Sequence, residues 1–276
     1  MKKILIVGAG AMGAAFSIPL LDNGHSVTLT EPYNFKLLQK LNLKKKIHPS
    51  LNINLPQKLK INKFSSDILN QKWDLIVIAV SSIGIDLIGK NLSKIKNKSP
   101  ILVLTKGLKL DGRNLISMSS LLKKYNKNLN ISVLKGPCLA KELAKKVKSF
   151  TVVANKNINT AKKIGKLIST NYYQTEFSRD VNGVEFLSAI KNIYSMIIGA
   201  GQWHNTSSAL FRKSIDEMKY LANYFKGKKE TVYGLAGLGD LYVSAMGGRN
   251  SKMGEYLGKG YTFTQAKKKF MKNDTV

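Results

Sequence analysis

The chain has 276 residues, enough to bury a substantial core and to fold as one large domain or two ordinary ones. Its 45 Lys and Arg outnumber 16 Asp and Glu for a net charge of +29, yet the lysines are spread over predicted helices, turns and loops. Such dispersal argues against a nucleic-acid surface and leaves a positive field that favours a small anionic substrate. The single cysteine, Cys138, excludes an intrachain disulfide and a multi-cysteine metal site, so no metal centre is expected and a reducing compartment, the cytoplasm, is.

The N-terminus reads MKKILIVGAGAMGAAFSIPLLDNGH, two lysines followed by an uncharged run that mimics a signal peptide. The glycines decide otherwise. Gly8, Gly10 and Gly13 fall in G-x-G-x-x-G register after the strand-like KKILIV (about 2–7), a helix-like segment follows, and SVTLTE (26–31) reads as a second strand. That order is a dinucleotide-binding βαβ unit: Gly8 for the tight turn, Gly10 for close approach of backbone to a pyrophosphate, and Gly13 for close helix packing. Free N–H groups at the helix N-terminus then face the phosphates. Glu31 ends the second strand, 18 residues after Gly13. There a carboxylate accepts from ribose hydroxyls and repels a 2'-phosphate, which favours NAD over NADP, with Lys36 close enough to soften the choice. The competing reading of Glu31 is a surface residue in the turn before Pro32.

Further strands are expected at about 59–64, 73–80, 100–105, 130–135, 149–154 and 172–178, most separated by helix-length segments. This alternation predicts a doubly wound, mostly parallel sheet. The apolar stretch Leu75–Ile85 is too short to span a bilayer and lies between Asp74 and Asp86, so no membrane insertion is expected. Lys106 and Gly107 fall just past a strand's carboxyl end, where open α/β sheets bind ligands. Gly136-Pro137-Cys138 makes a turn into another helix one strand later. None of the histidines, His25, His48 and His204, sits in a partner motif for Cys138, which is expected to be packed or to line a pocket.

From Val181 the pattern turns helical, at 184–200 and 207–225, so the boundary is placed near 180, with residues 1–180 binding NAD and 181–276 forming a helical substrate domain. Within VEFLSAIKNIYSMIIGAG, Lys191 stands in an apolar helix. Either it snorkels to water, or it lies at a cleft, its proton loosened by desolvation and nearby positive charge and exchanged with a reacting oxygen. Glu185, six residues away, is not a natural helical partner. In GLAGLGDLYVSAMGGRNSKMG the acid is Asp240, and Arg249 is one of four arginines, a planar fork suited to phosphate.

Six segments, GAGAMG (8–13), TKGL (105–108), GPCLAKE (136–142), AIKN (189–192), GLGDL (237–241) and GGRN (247–250), occur in this order across nearly the whole chain. Together they resemble the NAD(P)-dependent sn-glycerol-3-phosphate dehydrogenase family. The resemblance implies a Rossmann-like domain and an all-helical domain. It also implies reversible reduction of dihydroxyacetone phosphate to sn-glycerol 3-phosphate in a cleft between them, supplying glycerophospholipid synthesis. It places the catalytic lysine on Lys191, a second active-site lysine on Lys106 and the aspartate on Asp240. Gly8, Gly10, Ala11, Met12, Gly13, Glu31, Lys106, Ala140 and Arg249 are then expected on the cofactor, NAD or NADP. Gly136, Cys138, Gly248, Arg249 and Asn250 join Lys106, Lys191 and Asp240 on the substrate, and a homodimer is expected. Cys138 stands where bacterial members have Ser, Met12 where they have Trp, and Ser81-Ser82 where they have Pro-Ser; the GGRN form looks more like the eukaryotic branch. The chain stops at KKKFMKNDTV where the family continues, so a truncated sequence is expected, with apolar surface exposed on the helical domain. The alternative is a related two-domain reductase of a 2-keto or 3-hydroxy acid, of ketopantoate or β-hydroxyacid type, which also uses a helix lysine but has no need of the GGRN segment.

Overall fold

The computed structural model describes residues 1–43, 46–95 and 98–272; the last four positions of the expected helical domain, 273–276, lie outside the described residues. The chain opens β1 (Lys3–Val7), α1 (Ala11–Asp22), β2 (Ser26–Glu31), α2 (Phe35–Leu41), β3 (Ile47–His48), β4 (Ile53–Asn54), β5 (Lys60–Lys63), α3 (Ser66–Asn70), β6 (Leu75–Ile78), α4 (Ile85–Leu92) and β7 (Ile101–Val103). It continues β8 (Leu108–Asp111), β9 (Asn114–Ser117), α5 (Met118–Tyr125), β10 (Ile131–Lys135), α6 (Ala140–Ala144), β11 (Ser149–Ala154), α7 (Ile158–Ile168) and β12 (Tyr173–Ser178).

Eight of these strands form one mostly parallel sheet in the order β12-β11-β10-β7-β6-β1-β2-β5. β1 lies in its middle, with Ile4 opposite Val27 of β2 on one side and Leu75 of β6 on the other. Strands covered on both faces carry unbroken apolar runs, and Ile4 to Val7 and Leu75 to Ile78 are all fully buried. At one edge β5 reads KINK, whose lysines keep an exposed ladder from pairing with another chain. Strand order reverses at β1, so β1 and β6 leave their carboxyl ends at the switch point where such sheets take ligands.

All eight sheet strands fall within the strand-type runs expected from sequence, whereas the two hairpins do not emerge from that reading. β8 and β9 pair antiparallel, Asp111 opposite Asn114, around Gly112 at φ +60. The two-residue loop is Gly112-Arg113, and glycine with positive φ at its first position is what a type II' hairpin turn demands. β3 and β4 are two residues each, too short for any periodicity.

By contact the chain divides into two units, Met1–Leu134 with Cys138–Val181, and Lys135–Pro137 with Asn182–Val276, against the boundary expected near residue 180. The second is built on α8 (Val181–Ala200) and α9 (His204–Tyr224), then a 3-10 turn (Lys229–Tyr233), a π-turn (Leu235–Gly239), α10 (Asp240–Ala245), α11 (Arg249–Gly258) and α12 (Phe263–Lys269). Glycines let α8 and α11 touch backbone to backbone. A Cβ at Gly254 would stand 1.9 Å from Met196 O, and one at Gly199 would stand 2.1 Å from Ser251 O. Among the described residues no helix is long and apolar enough to cross a membrane.

Candidate active site

In the first unit the glycine loop joins β1 to α1. Gly8 has φ +110, and a Cβ there would lie 2.7 Å from the Ala79 backbone past β6. A Cβ at Gly13 would lie 1.9 Å from Gly8 O, so α1 can close on the strand only because Gly13 has no side chain. At Gly10 a Cβ would meet no described atom within 4 Å. Gly10 is also the N-cap of α1 and has no side chain to occupy the first-turn N–H groups. Open space beside uncapped N–H groups at the positive end of a buried 12-residue helix is the cradle a pyrophosphate fits, so the residues present suit a dinucleotide. Ala11 and Met12 open α1, half-buried against the core.

Glu31 is not a surface residue of the turn before Pro32: it is 6% exposed. Its Oε2 accepts the Ala9 N–H at 2.7 Å, and its Oε1 accepts the N–H groups of Tyr33 at 2.9 Å and Asn34 at 3.2 Å. Oε1 is therefore committed to backbone, and what remains for a ribose hydroxyl is the second lone pair of Oε2. Lys36 is exposed on α2.

Lys106 and Gly107 leave β7 at the carboxyl end of the sheet. Thr105 anchors this exit by donating to Val80 O at 2.7 Å, and Gly107 has φ +143, with the Ser82 Cβ 2.9 Å from where its own would stand. Cys138 and Ala140, at the start of α6, pack half-buried against the same core.

The second unit carries a buried ion pair. Lys191 does not snorkel; its side chain is 9% exposed, and its ammonium donates to Asp240 Oδ1 and to Ser244 Oγ, with Asp240 O at 3.4 Å. Asp240 is 2% exposed, and its Oδ2 accepts from Ser188 Oγ at 2.9 Å. The charge in contact with Lys191 is thus the carboxylate of Asp240, the acid that the family resemblance sets beside it. Helical spacing explains the set. Ser188 and Lys191 are i, i+3 on α8, while Asp240 and Ser244 are i, i+4 on α10, so each helix turns one face to the other. The π-turn at Leu235–Gly239 delivers Asp240 at the start of α10, a local unwinding of the kind that recurs at functional sites.

Ser244 ties this pair to the glycine-arginine segment. The Gly248 N–H donates to Ser244 O at 3.2 Å through a turn in which Gly247 has φ +82, and a Cβ at Gly248 would stand 2.4 Å from Ser244 O. Gly248 then caps α11, and Arg249, exposed, and Asn250, half-buried, are its first two residues. An arginine fork, an amide and a helix N-terminus there converge on one anion chemistry. Gly136, at φ +118, belongs to this unit, and its neighbour Pro137 lies 3.5 Å from where a Gly239 Cβ would be, next to Asp240.

Lys191 and Asp240 are therefore in contact, with Gly136, Gly248, Arg249 and Asn250 on segments adjoining them, whereas Gly8 to Gly13, Glu31, Lys106, Cys138 and Ala140 belong to the first unit. Sequence reasoning missed Ser188 and Ser244. Their spacing from Lys191 and Asp240 was the available signal.

Two family models account for most of the chain. Residues 3–161 match the NAD-dependent glycerol-3-phosphate dehydrogenase N-terminus and residues 180–276 match its C-terminus. Among similar proteins, a glycerol-3-phosphate dehydrogenase [NAD(P)+] of Fusobacterium nucleatum is 32% identical over 96% of this chain and 81% of the relative. An NADP(+)-dependent glycerol-3-phosphate dehydrogenase of Archaeoglobus fulgidus is 28% identical over 95% of this chain and 82% of its own length. The crystal structure of glycerol-3-phosphate dehydrogenase from Coxiella burnetii superposes with a TM-score of 0.87 at 26% identity, covering 98% of this chain and 84% of that one.

Proposed function

Because the chain belongs to the NAD-dependent glycerol-3-phosphate dehydrogenase family, we propose that it interconverts dihydroxyacetone phosphate and sn-glycerol 3-phosphate, using NAD or NADP. The observation that carries this reading is the buried Lys191–Asp240 pair, joined through Ser244 to the Gly248-Arg249-Asn250 helix start. A proton donor whose partners, Asp240 and Ser244, lie on the same short stretch of backbone as the anion site suits a ketone that bears a phosphate. A 2-keto or 3-hydroxy acid would leave the arginine-asparagine helix start without its ligand, and that alternative gives way.

The bound dinucleotide supplies the hydride, or accepts it in reverse. The protein's part is to hold substrate and proton. Arg249, Asn250 and the first N–H groups of α11 bind the phosphate, so binding energy remote from the reacting carbon fixes the position of the ketone. Lys191 Nζ hydrogen-bonds the carbonyl oxygen and gives it a proton as negative charge develops there. In the reverse direction the neutral amine of Lys191 takes the hydroxyl proton. Asp240 keeps the ammonium aimed and compensates its charge within a buried site, and Ser188 fixes the carboxylate in turn. Lys106 serves as the second active-site lysine, with Gly136 and Cys138 lining the substrate and Ala140 near the cofactor, as the family resemblance implies. Residues 1–180 act as the dinucleotide-binding part and 181–276 as the substrate part.

Within this reading NAD is preferred over NADP, because the Glu31 carboxylate is held as a fixed charge at the end of β2 and repels a 2'-phosphate. The enzyme is proposed to be a cytoplasmic homodimer that supplies glycerol phosphate for phospholipid synthesis. The test is oxidation of NADH and of NADPH by the purified protein with dihydroxyacetone phosphate or ketopantoate as acceptor. Turnover of the phosphorylated ketone, faster with NADH, is expected. Turnover with ketopantoate alone would overturn the assignment.

A further inference from the structure

His48 has no part in the chemistry above and no sequence motif around it, yet it is 1% exposed and in contact with the glycine loop. Its Nδ1 faces the Leu51 N–H at 3.3 Å and its Nε2 faces Ala9 O at 3.0 Å. A backbone N–H can only donate, so Nδ1 is the accepting nitrogen and the proton sits on Nε2. The Nε2–H therefore donates to the Ala9 carbonyl. On the other side of the same residue, the Ala9 N–H donates to Glu31 Oε2 at 2.7 Å. Ala9 is held by both of its backbone polar groups, from β2 and from the β3–β4 hairpin, and is itself fully buried.

The consequence follows from planarity. In a trans peptide the carbonyl and the next N–H point in opposite directions. Pinning Ala9 O on His48 turns the Gly10 N–H the opposite way, and Gly10 is the N-cap beside which a side chain would find no described atom within 4 Å. Pinning the Ala9 N–H on Glu31 likewise sets Gly8 O on the other side of its peptide, where the Cα of Gly13 packs on it. We propose that His48 and Glu31 are positioning residues for the dinucleotide: together they lock the two peptide planes around Ala9, and so hold the phosphate-facing N–H of the loop in its binding orientation before the cofactor arrives. For Glu31 this adds a backbone duty to the ribose contact. For the β3–β4 hairpin it supplies a reason to reach under the loop at all. The proposal rests on the dinucleotide reading of the loop.

Preorganisation of this kind affects cofactor affinity and leaves the ketone's own site alone. The test is equilibrium binding of NADH, followed by the change in nicotinamide fluorescence, for the full chain and for His48→Leu, His48→Gln and His48→Asn. Glutamine places its amide N–H2 where Nε2 was, and asparagine places its own nearer Nδ1. Loss of one hydrogen bond predicts about a fivefold higher Kd for NADH in His48→Leu and His48→Asn, and recovery to within about twofold in His48→Gln. At saturating NADH, kcat and the KM for dihydroxyacetone phosphate should stay at the parent values. Equal NADH affinity across the parent and the folded variants would overturn the proposal. So would equal affinity of His48→Gln and His48→Asn, the comparison that decides should His48→Leu fail to fold. A parent protein that binds neither NADH nor NADPH would instead overturn the dinucleotide reading itself.

Discussion

Replacing Lys191 with alanine removes a proton donor and strands a carboxylate, and the two effects are separable. Asp240 is 2% exposed and its Oδ1 faces the lysine ammonium, so truncation removes the cation from a buried carboxylate that still accepts from Ser188 Oγ at Oδ2. Breaking a buried pair from one side costs about 3–5 kcal/mol, and the Ser188 bond places Lys191→Ala near about 3 kcal/mol. At about 2–4 °C per kcal/mol for a chain of this size, the melting temperature should fall by on the order of 6–12 °C. Loss of the general acid should lower kcat by about 10²- to 10⁴-fold, with NADH binding retained. The double variant Lys191→Met with Asp240→Asn removes both charges and keeps an acceptor for Ser188. It should regain most of the melting temperature and none of the activity. Thermal melting and steady-state kinetics on the two variants read both effects. A Lys191→Ala protein that turns over at the parent rate would refute the proton-donor role, and one that melts at the parent temperature would refute the stranded-charge reasoning.

Arg249→Lys keeps the charge at the start of α11 but loses the planar fork. It should raise the KM for dihydroxyacetone phosphate about tenfold with a smaller change in kcat, and an unaltered KM in steady-state kinetics would count against phosphate binding there. Gly13→Ala should abolish NADH binding or folding, since its Cβ would stand 1.9 Å from Gly8 O; circular dichroism with NADH titration reads this, and a folded, fully binding variant would contradict the packing. Burial holds His48 below its ordinary value of 6.5, against the opposing pull of its bond to Ala9 O, and burial also leads the lowering at His25. The unfolded chain then binds more protons below about pH 6.5, so stability is full above that value and declines as pH falls toward the lowered folded values. Urea midpoints should drop between about pH 7.5 and 5.5, and drop less in His48→Gln; a flat profile would show that neither histidine is held neutral.

Apolar runs placed the inner strands of the sheet, because a buried parallel strand has to be apolar whatever it packs against, whereas the edge strands β5 and β12, KINK and YQTEFS, carry mostly polar residues. G-x-G-x-x-G was legible as a local motif, since Gly8 has φ +110 and Gly13 packs on Gly8 O within the same turn, although Gly8 also answers to the Ala79 backbone past β6. The β8–β9 hairpin was legible in the glycine of its Gly112-Arg113 turn, but it hid beneath the ligand signal of Lys106-Gly107. Lys191 in an apolar helix announced a buried charge, while its partner came from the family resemblance and not from any local pattern. Asp240 is 49 residues away, and Ser244 53, each brought to it by the packing of helices that no local pattern encodes.

His48 and Glu31 mark the same division. Their side chains meet Ala9 across 39 and 22 residues, and a carboxylate at a strand end looks alike in sequence whether it faces a ribose or its own backbone. The sequence by itself determined the sheet, the glycine loop and the candidate chemistry, because those depend on hydrophobic periodicity and on where a Cβ can exist. Which polar group satisfies which was decided by the tertiary structure, because a buried hydrogen bond is set by the path of the chain between its ends.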